Sequence, residues 1–293
     1  MLLNIVKLIR VHQWVKNFFV FVPLLFSLHF FEKEYFLTTF FAFLVFCLAS
    51  SSVYVINDII DIEADRSHPL KKNRPLPSGK LSKTTALIIF SVLLLLIAIS
   101  LSGFNNYFMY SVVGFIILNS LYTFWLKHIV ILDVFSIAAG FTLRVLAGAF
   151  VILVPISSWL LLTTMFISLF LGVMKRHSEL TLTSEGENSM SRKVLAQYSL
   201  NFADQMATVA AAGVIICYAL YTVAPRTVII FGTENLIYTT PFVVFGIFRY
   251  MYLEYKSGMA ENTTKLIATD IPMIVTVVLY AVVTVLIVYK VIN

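Results

Sequence analysis

Apolar residues fall in nine stretches along this chain, approximately 14–31, 36–56, 84–103, 106–125, 130–151, 157–175, 200–223, 236–253 and 271–291. Each is about as long as a helix needs to cross a bilayer, and none shows the strict alternation of a barrel strand. Turn-forming residues separate several of them: Gly103-Phe104-Asn105-Asn106, Pro155-Ile156-Ser157-Ser158, and Pro225 with Gly232. The start of the first stretch also reads as an interfacial helix, and the fifth contains Arg144. The pattern predicts an all-α polytopic membrane protein, a bundle of nine transmembrane helices forming a single domain over 1–293.

Composition agrees. Sixty per cent of the 293 residues are hydrophobic, 12% are charged, and the mean hydropathy is +0.92. A soluble domain of this size needs more charge on its surface, so the backbone must satisfy its polar groups internally, as lipid requires. No small-residue cleavage site follows the first apolar stretch, so no cleavable signal peptide is expected. Cys47 and Cys217 lie inside apolar stretches and read as packing residues. His12, His68, His128 and His177 have no metal-ligand spacing, so no zinc site is expected. A nucleic-acid partner is not expected either.

Charge then sets orientation. With the N-terminus inside, 17 of the 21 Lys and Arg fall on inner segments. Outer segments hold only Lys33, Arg226 and Lys290. This positive-inside bias predicts a cytoplasmic (inner) membrane protein with a cytoplasmic N-terminus and, after nine spans, an outer C-terminus. The two longest loops, about 57–83 and 176–199, are both inner and are expected to form the mouth of an active site.

The first of these loops opens on Asn57-Asp58-Ile59-Ile60-Asp61-Ile62-Glu63-Ala64-Asp65. On a helix, positions 58, 61 and 65 fall within about 60 degrees of one another. Three stacked carboxylates repel unless a cation holds them, and hard oxygen ligands suit Mg²⁺, which bridges carboxylates to substrate phosphates. Asn57 adds an amide able to bond a phosphate oxygen or a neighbouring carboxylate. Such a cluster is ordinary on a soluble helix end, but here it emerges from a membrane span, where charge is costly and marks function. Downstream come Arg66, His68, Pro69, Lys71, Lys72, Arg74, Pro75 and Gly79. Acidic residues to hold metal followed by basic residues to hold phosphate suit a metal–diphosphate substrate. Lys71 and Arg74, bracketed by prolines, are candidate substrate contacts; Lys80 and Lys83 read as topology signal or anionic-lipid contacts.

The N-D-x-x-D-x-x-x-D motif, the following H-P-x-K-x-x-R-P string and the nine spans together resemble the UbiA-type intramembrane prenyltransferase superfamily, over essentially the whole chain. Four local strings resemble its branch that moves 5-phosphoribose onto polyprenyl phosphate: Gln13-Trp14-Val15-Lys16-Asn17, Tyr122 to Lys127, Gly140 to Arg144 with Ala147-Gly148, and Lys175-Arg176-His177-Ser178-Glu179-Leu180. The resemblance implies Mg²⁺ as cofactor, with phosphoribosyl diphosphate and a polyprenyl phosphate lipid as substrates. Members that use prenyl diphosphate carry a second motif, D-x-x-x-D, after helix 6. This chain has Lys175-Arg176-His177-Ser178-Glu179 there and no aspartate through residue 199. One acidic cluster fewer and a basic pair more suit a donor with an extra phosphate.

Other candidates are weighed against plainer roles. Lys16, beside Trp14, reads as a phosphate contact or an interfacial anchor. The resemblance favours Tyr122 on the sugar and Lys127 on a phosphate. Arg176 and Glu179 could form a simple i, i+3 pair, yet with Lys175 they are also expected to close the mouth opposite the first motif. Asp133 and Arg144 share a face of the fifth span; Arg144 reads as structural, and Asp133 is open. Asp204, Arg249 and Asp270 read as pairing residues. The nearest rival function is prenyl transfer from prenyl diphosphate to an aromatic or other acceptor. A transporter is a second rival, although transporter ion sites usually lie near the bilayer midplane. A structural scaffold leaves the stacked carboxylates without a purpose.

Overall fold

A computed structural model describes residues 2–67, 71–184, 193–257 and 269–290. His68, Pro69, Arg192 and Lys265 lie outside the described residues. The described chain is helical, in the order α1 (Leu2–Leu8), a 3-10 segment (Val11–Phe21), α2 (Val22–Leu25), α3 (Lys33–Ile60), α4 (Ile62–Arg66), α5 (Lys83–Leu101), α6 (Asn106–Phe124), α7 (Leu132–Val151), α8 (Ser158–Ser184), α9 (Leu200–Val223), α10 (Pro225–Phe231), α11 (Thr240–Ser257) and α12 (Ile271–Val288). Helix starts follow local chemistry. The side chains of Ser82, Asn105, Ser199 and Asp270 each accept a backbone N–H three residues on, satisfying donors that a helix end leaves open.

Among the described residues, eight helices are long and apolar enough to cross a membrane, against the nine expected. The difference is the first stretch. Instead of one long helix over 14–31, the chain forms the 3-10 segment and the four-residue α2. Arg10 adopts a left-handed backbone (φ 51°) and ends α1. Polar bonds then tie the segment to α3: Trp14 Nε1 donates to Ser51 Oγ at 3.0 Å, and Ser51 donates to the Ile9 carbonyl at 2.9 Å. Gly148 of α7 makes room for it, since a Cβ there would collide with the Val20 carbonyl.

The chain divides into two compact units, residues 1–125 with 143–155, and residues 126–142 with 156–293. In the first, α3 is the central element, 67% of its most apolar window being buried against 17% for α5. Phe46 of α3 packs edge-on against Phe115 of α6, with ring centroids 5.4 Å apart. A buried polar ladder crosses this core. Arg144 Nε donates to Asn17 Oδ1 at 2.8 Å, Ser50 donates to the same oxygen at 3.0 Å, and the guanidinium lies over the Phe115 ring at 4.5 Å. That is the structural role expected of a buried arginine, which must find polar partners.

The second unit is organised by α8 against α9. Ala203, Ala207, Ala210 and Ala211 are buried with Phe170 and Met174, small residues allowing close helix approach. At Gly213 a Cβ would come within 2.5 Å of the Phe166 ring. Helix α8 also runs farther than the sequence pattern suggests, to Ser184 rather than about 175. The string Lys175 to Glu179 is therefore helical, not loop. Arg176 and His177 meet the buried carboxylates of Asp133 and Glu254, and the helix continues past the end of the apolar run.

Candidate active site

In the first unit the acidic motif straddles a joint. α3 ends at Ile60, Asp61 takes φ −89° and ψ 10°, and α4 begins at Ile62. Helical bonding carries across it, the Asp61 N–H reaching the Asn57 carbonyl at 2.9 Å and the Asp65 N–H reaching the Asp61 carbonyl at 2.8 Å. Asp58 and Asp65 are consequently presented together, both almost fully buried. Arg74 Nη1 donates to Asp58 Oδ1 at 3.3 Å and to Asp65 Oδ2 at 2.5 Å. Arg10 Nη2 donates to the same Asp58 oxygen, and Lys71 Nζ lies 3.9 Å from Asp65 Oδ1. Arg74 comes within reach because Pro75 and Pro77, both buried, fix the turn behind it. Asp61 occupies the joint itself and is half-buried, as is Asn57.

One guanidinium nitrogen thus sits between two carboxylates, where a cation is wanted. Hard, anionic oxygens from two aspartates match the protein share of an Mg²⁺ site, in which substrate phosphates and water complete the shell. Among the described residues no three His, Cys, Asp or Glu side chains are gathered as a metal cluster. Two carboxylates plus diphosphate oxygens fit this ion without a third.

Lys16 is half-buried on the 3-10 segment. Tyr122 is half-buried near the end of α6, in the first unit, and Lys127 is half-buried on a 3-10 turn, Leu126–His128, in the second.

In the second unit the basic string is deeply held. Arg176 Nε donates to Asp133 Oδ2 at 2.7 Å, and its Nη1 donates to Glu179 Oε2 at 2.5 Å. The i, i+3 pair foreseen in the sequence is present, with Asp133 of α7 as a further partner. Tyr198 completes the group: its hydroxyl donates to Asp133 Oδ1 at 2.7 Å and accepts the Ile131 N–H at 2.8 Å. Burial first, then the bond to Asp133, raise this phenol above its usual range and keep it protonated. Ile131 has φ 72°, a left-handed conformation costly for a β-branched residue; the Tyr198 hydroxyl holds it. Lys175, one residue before, is half-buried.

Next along α8, the His177 ring bridges two other helices. Nδ1 lies 3.0 Å from Glu254 Oε1 of α11, and Nε2 lies 3.3 Å from Asp204 Oδ1 of α9. Tyr255 donates to Asp204 at 2.6 Å. Arg249 bonds Asp270 at 3.1 and 2.8 Å, so Asp204, Arg249 and Asp270 all act in pairs as expected.

Sequence reading left Asp133 open and did not single out Arg10, Tyr198 or Glu254. Arg10 is 48 residues from Asp58 and Tyr198 is 65 from Asp133. No local pattern reports contacts at such separations. A weak signal existed for Asp133 alone, an acid in the first turn of a largely apolar helix.

Comparison with known proteins adds to this geometry. The model of the UbiA prenyltransferase family matches residues 18–268. A decaprenyl-phosphate phosphoribosyltransferase from Mycolicibacterium smegmatis is 33% identical over 222 residues, covering 74% of this chain and 70% of that protein. One of the same name from Corynebacterium glutamicum is 34% identical over 222 residues, covering 74% and 67%. Among solved structures, a UbiA homolog from Archaeoglobus fulgidus bound to GPP and Mg²⁺ superposes with a TM-score of 0.71 at 16% identity, covering 98% of this chain and 99% of that one.

Proposed function

This chain belongs to the UbiA prenyltransferase family, and on that premise we propose that it moves 5-phosphoribose from phosphoribosyl diphosphate to a polyprenyl phosphate, releasing diphosphate, with Mg²⁺ as cofactor. It is a membrane-embedded transferase. The observation that carries the finer reading is the asymmetry of the two motifs. The first is an aspartate pair set among Arg10, Lys71 and Arg74. Where a D-x-x-x-D motif serves prenyl diphosphate, this chain has Lys175-Arg176-His177-Ser178-Glu179. The named activity of its mycobacterial and corynebacterial relatives supports the same reading.

Asp58 and Asp65, with Asp61 beside them, would hold Mg²⁺, which when bound neutralises the diphosphate as leaving group. Lys71 and Arg74 bind phosphate oxygens from the same side, and Lys16 and Lys127 supply further positive charge. Lys175 binds the donor's 5-phosphate, with Arg176 and Glu179 fixing the helix that presents it. Asn57 and Tyr122 orient phosphate and ribose by hydrogen bonds. The bond from the anomeric carbon to the diphosphate oxygen breaks as positive charge builds on the ring, and an oxygen of the acceptor phosphate forms the new bond. That oxygen is already anionic near neutral pH, so the chain needs no general base; its task is positioning and electrostatic stabilisation. The positive-inside bias supports a site on the cytoplasmic side of the cytoplasmic membrane, with the N-terminus on that side.

The test is turnover by the purified protein. Labelled phosphoribosyl diphosphate and polyprenyl phosphate, with Mg²⁺, should give a labelled lipid that excess chelator abolishes. Absence of that lipid together with consumption of a prenyl diphosphate would assign the chain to prenyl transfer, the reading that the wider family supports.

A further inference from the structure

The acidic motif is already neutralised, by residues that can leave. Asp58 and Asp65 expose 2% and 5% of their side chains, whereas Arg10 and Arg74 expose 18% and 28%. The carboxylates are fixed on helix backbone, while the guanidiniums cover them from loops. Arg10 projects from the left-handed joint between α1 and the 3-10 segment, and its guanidinium rests 4.8 Å from the centre of the Tyr54 ring. That aromatic face gives the cation a second attraction one turn away from Asp58. Arg74 follows the 3-10 turn Lys71–Asn73.

We propose that Arg10 and Arg74 are exchangeable counter-ions of the acidic cluster, which close it to free divalent metal and pass to diphosphate oxygens when a metal–diphosphate complex enters. The proposal rests on the reading of this cluster as a metal–diphosphate site. A metal ion arriving alone must displace two arginines and leave them without an anionic partner. A metal–diphosphate complex supplies the displaced guanidiniums with new anionic acceptors, to which their N–H donors can turn. Metal and diphosphate therefore enter together. Arg10 becomes a donor-binding residue, a role no sequence motif gave it.

The test uses the full-length protein in detergent, Mn²⁺ as the probe ion, and inorganic diphosphate as partner, with protein-retained Mn²⁺ counted after equilibrium dialysis against the same total Mn²⁺ with and without diphosphate. Saturating diphosphate should tighten Mn²⁺ binding by roughly tenfold or more, the scale of one charge-assisted contact. Arg10→Gln should tighten Mn²⁺ binding without diphosphate and shrink the gain that diphosphate gives. Asp58→Asn should remove the diphosphate-dependent binding. Equal Mn²⁺ affinity with and without diphosphate in the unmodified protein overturns the proposal whether or not any variant folds. So does an Arg10→Gln protein whose two affinities match those of the parent, or an Asp58→Asn protein that keeps the diphosphate effect. Because inorganic diphosphate is common to both candidate donors, failure to make the phosphoribosyl lipid leaves this result standing.

Discussion

The acidic cluster around Asp58 and the basic cluster around Arg176 use the same pairs, guanidinium against carboxylate, at similar distances. They differ in which partner meets solvent. At Asp58 the acids are buried and the bases half-open; at Arg176 the guanidinium is 1% exposed and Asp133 is fully buried, with Glu179 at 16%. A half-open arginine regains water when it lets go, so its bond is a modest barrier. A buried one has nothing to regain, and removing a partner leaves an uncompensated charge. On the proposed function, one cluster is therefore a place where ligands change, and the other is framework.

Variants can break that contrast. The largest effect is expected at Asp58→Ala, where activity should fall roughly 10³-fold or more as metal stabilisation of the leaving group is lost. The melting temperature should hardly move, because Arg10 and Arg74 can hydrate. A large loss of stability there would erase the distinction. Asp133→Ala should do the reverse and destabilise the protein by about 3–5 kcal/mol, since buried Arg176 loses its fully buried carboxylate partner. Thermal unfolding in detergent reads this, and an unchanged melting curve would show that Arg176 is not framework. Tyr198→Phe should cost about 1–3 kcal/mol, for it leaves an Asp133 oxygen and the Ile131 N–H unsatisfied. Stability equal to the parent would mean that both groups find other partners. The smallest effect is expected from Arg66→Ala. Its 2.8 Å pair with Glu63 is open on both sides, so a change within about 0.5 kcal/mol is expected. A larger loss would contradict exposure as the deciding variable.

Much of the fold was legible in the chain because lipid imposes one rule, long apolar helices, and the rule is local. The stretch read as 200–223 is helix Leu200–Val223. Legibility stops where tertiary partners override composition. The end of α8 was misplaced because the burial of Arg176 depends on Asp133, 43 residues away. The winding of the first stretch was not legible because it is decided by Ser51 and by the missing side chain of Gly148, not by its own hydropathy. The same holds for the site. Asp58, Asp65, Lys71 and Arg74 lie within one short string and could be grouped by eye; Arg10 and Tyr198 reach their partners only through folding.

The winding of that first segment carries a consequence of its own. Three residues per turn stack side chains in three straight columns. One holds Trp14, Asn17 and Val20, the residues that meet the neighbouring helices, with Asn17 and Val20 wholly buried. Another holds His12, Val15 and Phe18, all exposed. Rewound as an α-helix, the same residues would fall out of phase by roughly 20° per residue, or about 120° between Trp14 and Val20. Trp14 could then face Ser51, or Val20 could stay buried, but not both. The tighter screw keeps one edge of the segment in register with its neighbours along its whole length.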